Sequence, residues 1–291
     1  MNRRVALITW AGLPQGAESE RLLLPLLAAA GVEVQIVDWT SGCDFGQFDL
    51  VVLRSCWDYH LRAAEFADWL RRTAQAAIVL NAVETVLWNR NKFYLRELEA
   101  KGIEIAPTVF FSNSVGGSGS TEPGAWREIK SWRKSVVKPA VSASAHKTWL
   151  VESAALPDED DLRRRMQGEG FLVQQFIPEI ETQGEISFIY IDGAYSHAVL
   201  KRPAAGDFRV QQEHGGSAEL FVPPAALLTQ ANQIASTVPQ VHESLYCRID
   251  VVDRAGRLVL MELELIEPDL FLGLAENSAN KFAEAIVRRA F

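Results

Sequence analysis

The segment RIDVVDRAGRLVLMELELIEP, residues 248–268, contains two strand-like runs joined by the turn sequence DRAGR. Strand residues two apart project from the same face, so Glu262 and Glu264 are expected to lie together. A turn centred on residues 255–256 places Asp250 opposite or diagonal to Glu262. Three carboxylates on one face repel one another unless a cation lies between them, and such hard oxygen ligands suit Mg²⁺. A solvated polar face explains the alternation as well, so the hairpin alone leaves the metal site open.

Charge and composition narrow the class of protein. The 291-residue chain carries 29 basic and 37 acidic residues, a formal net charge of -8, which argues against a broad surface for nucleic acid or anionic membranes. No apolar run reaches the length of a membrane span, and MNRRVALITW enters a strand directly, so we expect neither a membrane anchor nor a signal peptide. Because Cys43, Cys56 and Cys247 show no paired spacing, we expect a cytoplasmic protein with reduced thiols.

The amino-terminal part alternates apolar strands with amphipathic helices. Strands are predicted over 5–10, 32–39, 48–59 and 77–81, and helices over 19–31, with Ser19 as its cap, and 63–75. Continuous apolar strands are typical of a parallel sheet covered by helices on both faces. Ligands bind at the carboxyl ends of such strands, where the sequence places Arg54, Ser55, Trp57 and Asp58. These residues either contact a substrate or form a packed loop with an Arg–Asp pair.

The chain from residue 84 to residue 178 is predicted to form an α+β unit, and a hairpin and further helices follow it. A strand over 135–140 contains Lys138, which needs an anionic partner or an exit to solvent, and an edge-strand lysine satisfies the same pattern. The Gly/Ser-rich segment 112–121 is predicted to be a flexible surface segment. Helices are predicted over 84–102, 124–133, 224–238 and 276–290, and a hairpin over 184–203.

The order of several short motifs resembles the ATP-grasp superfamily and, within it, the glutathione-synthetase-like carboxylate–amine ligases. The motifs are WNRNK, VVKPA, FLVQQFIPEI, GEIS, the run from Lys201 through Arg209 to Gly215-Gly216, and the acidic hairpin. Each is weak alone, and their shared order and spacing carry the assignment. The phrases RSCWDY, KRP with FRVQ, and ELELIEP further resemble a bacterial branch that includes the ligase closing the ring of cycloserine from O-ureidoserine.

The resemblance implies a fold and a division of the chain. The fold class is α/β and α+β, an ATP-grasp fold preceded by a parallel-sheet domain. The implied parts are an amino-terminal α/β domain over 1–84, a lid subdomain with its leading helix over 85–175, and a carboxyl-terminal subdomain with the metal site over 176–291. The loop VSASAHKT, residues 141–148, stands where relatives have a glycine-rich phosphate loop, and it contains no glycine. We call it the phosphate loop.

The resemblance also implies roles for individual residues. ATP would be bound by Lys92, Lys138, Gln174, Gln175, Phe176, Ile177, Glu185 and Lys201. One or two Mg²⁺ ions would be bound by Asp250, Glu262 and Glu264, the last of which replaces a more usual Asn. Lys201 and Arg209 are the implied catalytic residues. The substrate is implied near Arg209, Gln211, Gly215 and Gly216, in addition to the four residues 54, 55, 57 and 58.

The implied reaction is the ATP-dependent activation of a small amino-acid-like carboxylate as an acyl phosphate. A nitrogen nucleophile then displaces the phosphate, in an amide or a cyclic product such as cycloserine, and ADP and phosphate are released. A small-molecule kinase, which leaves phosphate on its product, and a nucleotide-binding protein without turnover are the alternatives. The expected partner is a small-molecule carboxylate, neither nucleic acid nor a membrane, and the oligomeric state is open.

Overall fold

The computed structural model describes residues 3–112, 124–166 and 168–290. The Gly/Ser-rich segment predicted at 112–121 therefore lies outside the described residues from 113 onward. Within the described part, three sheets follow one another along the chain. None of the helices in that part is long and apolar enough to cross a membrane.

The first sheet is parallel, as predicted from its continuous apolar strands. It contains β1 (Arg3–Thr9), β2 (Val32–Asp38), β3 (Leu50–Leu53) and β4 (Ile78–Leu80), with α1 (Glu18–Ala29) and α2 (Ala63–Ala76) between strands. The strand order is β2-β1-β3-β4. The prediction that Ser19 caps α1 is wrong, because its hydroxyl donates instead to Asp269, 3.0 Å away.

The predicted single helix over 84–102 is also wrong, since the chain forms α3 (Val83–Asn89) and α4 (Tyr94–Ala100). Between them the Asn91 side chain accepts a hydrogen bond from the Phe93 amide at 3.0 Å. This local bond competes with the helical one and turns the backbone. The break allows the Lys92 amide to donate to the Ala140 carbonyl at 2.8 Å, which brings Lys92 to the second sheet.

The second sheet is antiparallel, with the order β5-β8-β6-β7. Its elements are β5 (Thr108–Ser112), α5 (Ala125–Ser131), β6 (Lys134–Pro139), β7 (Trp149–Glu152), α6 (Glu159–Arg165) and β8 (Gly170–Gln175). One face packs on α5 and α6 through Phe111, Ile129 and Leu162, which are buried. The other face is left for the third sheet and the cleft between the two.

The third sheet is antiparallel and carries the acidic hairpin. Its elements are α7 (Glu179–Thr182), β9 (Glu185–Ile191), β10 (Ala194–Arg202), β11 (Ser217–Phe221), α8 (Ala225–Thr237), α9 (Pro239–Glu243), β12 (Tyr246–Arg254) and β13 (Arg257–Glu264), and α10 (Ser278–Ala290) follows. The order is β11-β10-β9-β12-β13. Asp250 pairs with Glu262, as the predicted turn requires, and Ala255 and Gly256 both have positive φ.

The third sheet is joined to the rest of the chain by side chains. Asn89 donates to the Leu263 carbonyl at 2.7 Å and accepts from the Leu265 amide at 2.8 Å, which covers the outer edge of β13. Helix α10 packs against α1, so the last helix of the chain lies beside the first sheet. The predicted division of the chain at residues 84 and 175 stays a prediction.

Candidate active site

A cleft is lined by β6 and β8 of the second sheet and by β10, β12 and β13 of the third. Trp57 and Tyr59, from the loop after β3, and the first half of the phosphate loop complete its walls. One end is apolar and is formed by Phe176, Ile177, Ile180, Phe208, Val210 and Met261. Gln174 and Gln175 border this slot, and Gln174 is held by a bond from its amide nitrogen to the Thr108 hydroxyl at 3.0 Å.

Two lysines converge on one carboxylate beyond the apolar slot. The ammonium nitrogens of Lys92 and Lys138 lie 3.7 and 3.4 Å from Glu262 Oε1, and Lys92 also donates to the Ser142 carbonyl at 2.8 Å. Burial lowers the pKa of Lys138, and the neighbouring charge of Lys92 adds to this effect. Burial opposes ionisation of Glu262, but the two lysines outweigh it and hold its pKa below the ordinary value. The pair leaves an excess of positive charge, which favours an anionic ligand.

The position of Lys138 decides between two expectations. Strand β6 lies inside its sheet, between β8 and β7, and Lys138 is only 6% exposed. The edge-strand explanation is therefore wrong, and the anionic partner that a buried lysine requires is Glu262.

A second charged group surrounds Asp250. Lys201 lies 2.5 Å from Glu185 and 3.3 Å from Asp250, and Arg248 lies 2.9 Å from the same oxygen of Asp250. The Ser187 hydroxyl donates to the other oxygen at 2.6 Å. Burial alone would raise the pKa of Asp250, but Arg248 and Lys201 hold it well below its usual range. Asp250 is thus ionised and firmly oriented.

Carboxylates are in excess at the carboxyl end of β13. Burial raises the pKa of Glu264 to about 7, although Arg248 opposes this at 2.5 Å. Burial and the charge of Glu264 raise the pKa of Glu267 to about 8. Asp250 is 2% exposed, and the side chains of Glu262 and Glu264 are 28% and 27% exposed, so a solvated polar face does not describe this strand pair. A bound cation would relieve the repulsion, and these oxygen donors fit Mg²⁺.

Asp250, Glu262 and Glu264 are nevertheless engaged by arginine and lysine side chains. In residues 3–112, 124–166 and 168–290, no group of three His, Cys, Asp or Glu side chains is arranged as a metal centre. Asp250 and Glu264 contact Arg248, and Glu262 contacts the two lysines. A metal bound by these carboxylates would replace the ion pairs with metal ligation.

The structure does not bring three of the predicted substrate residues to the cleft. Arg54 is 1% exposed and binds Glu20, Ser55 donates to the Thr9 hydroxyl, and Asp58 accepts from Arg62 and the Trp39 indole. The packed-loop alternative holds for them, with Arg62 rather than Arg54 as the partner of Asp58. Trp57 alone of the four lines the cleft.

The segment after β10 contributes two of its four predicted residues. Arg209 and Gln211 line the cleft, and Arg209 is paired with Asp207 at 2.7 Å. Gly215 and Gly216 do not line it. A β-carbon on Gly216 would lie 2.2 Å from the Val210 carbonyl oxygen, so this glycine serves close backbone packing.

Among the cleft residues that the sequence did not single out as site residues, Arg248 and Glu267 bear most directly on its charge. Arg248 lies two residues before Asp250 on the same strand face, and that spacing was a usable signal. Glu267 follows the strand in ELELIEP, where an acidic residue in a loop is ordinary and carries no signal by itself.

Comparison with known proteins identifies the family. A family model described as "D-cycloserine synthetase DcsG, N-terminal domain" matches residues 5–81, and one described as "RimK-like ATP-grasp domain" matches residues 136–270. The chain is 29% identical over 287 residues to the cycloserine biosynthesis protein DcsG of Streptomyces lavendulae, which covers 91% of this chain and 92% of that protein. It is 34% identical over 88 residues to a glutathione synthetase of Bradyrhizobium diazoefficiens, covering 29% of this chain and 26% of that protein.

Solved structures agree with this result. The crystal structure of D-cycloserine synthetase DcsG matches with a TM-score of 0.85 at 25% identity, covering 99% of this chain and 100% of the other. The D-alanine–D-alanine ligase of Bacillus anthracis matches with a TM-score of 0.71 over 99% of this chain and 97% of the other, and at 15% identity it shows the fold alone. The predicted family and fold class are confirmed. The chain belongs to the ATP-grasp superfamily and is a carbon–nitrogen ligase.

Proposed function

We propose that this ligase activates the carboxylate of a small amino-acid-like molecule as an acyl phosphate and closes a ring of the cycloserine type. The observation that carries the proposal is a pair of largely buried lysines, Lys92 and Lys138. They share the single carboxylate of Glu262 beside the apolar slot. This arrangement suits a flat base followed by phosphates. The similarity to DcsG proteins supports the choice of reaction.

The predicted roles of the site residues become part of this proposal. The adenine would lie in the slot bordered by Gln174, Gln175, Phe176 and Ile177. Lys92 and Lys138 would bind the α- and β-phosphates, and Glu185 and Lys201 would complete the nucleotide site. Asp250, Glu262 and Glu264 would hold one or two Mg²⁺ ions, which neutralise phosphate charge when bound.

The chemistry asks for positioning and charge rather than for a protein base. A carboxylate is a poor electrophile, and phosphorylation provides it with a good leaving group. Lys201 and Arg209 would stabilise charge near the transferred phosphoryl group and the carbonyl oxygen. For Arg209 this requires release from Asp207, which now holds it at 2.7 Å. ADP forms in the phosphorylation step; the nitrogen nucleophile then attacks the acyl carbon, gives up a proton to solvent and displaces phosphate. With O-ureidoserine, water must also remove the carbamoyl group from the attacking nitrogen to give the free cycloserine ring.

A phosphate-release screen tests the proposal. O-ureidoserine is assayed first, followed by amino acids and their amide derivatives. We expect ADP and free phosphate only when a suitable carboxylate is present. Phosphate retained on the product would instead identify a kinase, and ATP binding without ADP formation across the panel would identify a nucleotide-binding protein without turnover.

A pair of lysine variants locates the site. Lys138→Met should lower turnover by about 100-fold or more, because it removes charge that stabilises the phosphates. Lys101→Met alters an exposed lysine at the end of α4 and should leave turnover unchanged. Equal activity of the two variants would contradict the assigned phosphate site.

We also propose that the enzyme works in the cytoplasm, where ATP is available. The three cysteines are free, and Cys56 and Cys247 are buried, which fits a reducing compartment.

A further inference from the structure

Six consecutive backbone carbonyls after β13 each lie within hydrogen-bonding distance of a different side-chain donor, although the single hydroxyl hydrogen of Tyr246 is shared with the Leu53 carbonyl. They belong to residues 265–270, which we call the tethered segment. The donors, in order along the segment, are Asn81, Tyr246, Trp57, Arg54, Arg248 and His197, at distances of 2.7, 2.7, 3.0, 3.0, 3.1 and 2.9 Å. A backbone held at every residue by separate elements of the fold has little freedom to rotate.

Two of the tethers come from Arg54 and Trp57 in the motif RSCWD at residues 54–58. Arg54 donates to the Pro268 carbonyl while it binds Glu20 at 3.2 Å, and its guanidinium lies 5.0 Å from the ring of Tyr246. Trp57 donates from its indole to the Glu267 carbonyl at 3.0 Å. The motif therefore acts on the cleft through the backbone of the tethered segment.

The residue presented to the cleft at this point is Glu267. Among the described residues, no hydrogen bond or ion pair reaches its carboxylate, whereas every other shielded carboxylate of the cleft has one. Glu185, Asp250, Glu262 and Glu264 contact lysine or arginine, and Asp269 accepts from the Ser19 hydroxyl and the Phe271 amide. Burial and Glu264 raise the pKa of Glu267 to about 8, so its charged form lacks a compensating cation.

We propose that Glu267 binds the ammonium group of the substrate, and that Trp57 and Arg54 are positioning residues that hold Glu267 in place. The inference rests on the proposed function and deepens it, because it restricts the carboxylates that are activated to those that also carry a primary amine. An ammonium group supplies both the missing positive charge and hydrogen-bond donors. Trp57, which contacts the backbone of Glu267, also lines the cleft, and an aromatic ring favours a bound cation.

The test compares O-ureidoserine with its analogue that lacks the α-amino group, using phosphate release by the full-length enzyme. We expect the wild type to prefer the amino compound by about 10- to 100-fold in kcat/KM, the usual effect of a hydrogen bond to a charged group. Glu267→Gln should remove this preference by raising KM for the amino compound alone. KM for ATP and the Mg²⁺ concentration for half-maximal activity should not change. Glu276→Gln, at an exposed carboxylate before α10, should behave as the wild type.

Trp57→Phe provides a second variant that keeps the carboxylate and removes its tether. We expect a several-fold rise in KM for the amino compound with little change in kcat, and no change for the analogue. This readout also serves if Glu267→Gln fails to fold, as judged by circular dichroism.

Three results would overturn the inference. Equal losses for both compounds in Glu267→Gln and Trp57→Phe would mean a structural role. A shift in the Mg²⁺ requirement of Glu267→Gln would mean that Glu267 is a metal ligand. Absence of phosphate release by the wild type with the whole panel would overturn the proposed function and this inference together, whereas the first two results leave the proposed function standing.

Discussion

The two loops that flank the cleft, the tethered segment and the phosphate loop, contain no glycine and follow strands of the cleft, yet their conformations have different origins. The tethered segment is held from outside, by six side chains from distant parts of the chain. The phosphate loop is shaped from within, by turn bonds from His146 to Ala143 at 2.9 Å and from Thr148 to Ala145 at 3.0 Å.

The difference fits the ligand that we propose for each loop. Ser144, Ala145 and Lys147 of the phosphate loop adopt left-handed φ values of 48°, 51° and 51°, a conformation whose successive N–H groups suit an anion. The hydrogen bonds of residues 143–148 lie within the loop, and the ring of His146 lies 5.0 Å from that of His60 in the first domain's loop after β3. The tethered segment instead holds one carboxylate still. A fixed position suits the recognition of a small substrate that we propose for this segment.

The largest expected effect on turnover concerns Glu262 on β13, the strand that precedes the tethered segment. Glu262→Gln should reduce turnover by at least about 100-fold, because it removes one unit of charge shared by Lys92, Lys138 and the proposed metal. Phosphate release measures the loss, and circular dichroism should show an intact fold because the two side chains have nearly the same shape. Unaltered turnover would contradict the assignment of Glu262 as a metal ligand.

The next effect tests whether the tethered segment is held from outside. Arg54→Leu should lower the free energy of unfolding by about 3–5 kcal/mol, because it leaves Glu20 buried without its partner. Urea denaturation measures the change. Arg71→Leu, at an exposed arginine paired with Asp68, should cost about 1 kcal/mol or less. Similar costs for both variants would show that Arg54 does not anchor the segment.

The charge carried by the tethered segment predicts a dependence of stability on pH. The folded pKa of Glu267, about 8, lies above its ordinary value of 4.5, so between these values the folded protein keeps a proton that the unfolded chain has lost. Stability of the unliganded enzyme should therefore fall as pH rises from about 5 to about 8. In Glu267→Gln, the thermal unfolding temperature should depend less steeply on pH over this range than in the wild type. The same dependence on pH in the wild type and the variant would contradict the unpaired state of the Glu267 carboxylate.

The smallest effect is expected in the phosphate loop. Ala145→Gly should raise the free energy of unfolding by about 1 kcal/mol or less, because glycine accepts the left-handed φ of 51° without strain. Ala143→Gly, at a neighbouring position without positive φ, should lower it by a similar amount. Chemical denaturation of both variants measures the contrast. A change of the same sign in the free energy of unfolding of both variants would contradict a loop shaped by local backbone strain.

Much of the fold was predictable because its determinants are local. Alternation of side chains along β12 and β13, together with a turn at Ala255 and Gly256, predicts that Asp250 and Glu262 pair, and they do. The apolar strands of the first sheet likewise predict its parallel arrangement. The break between α3 and α4 escaped prediction, since an apolar helical pattern outweighed the short-range signal of Asn91.

The sequence by itself determined the parallel arrangement of the first sheet, the acidic hairpin and the order of lysines and carboxylates along the chain. Only the tertiary structure decided which of these charges meet and which face the cleft. Arg54 and Pro268 are 214 residues apart in the chain, and Trp57 and Glu267 are 210 apart, so no local pattern reports their contact. Burial of Arg54 and exposure of Glu267 to the cleft follow from those contacts, because hydrogen bonding across the packed domains selects which backbone and side-chain groups remain available to a ligand.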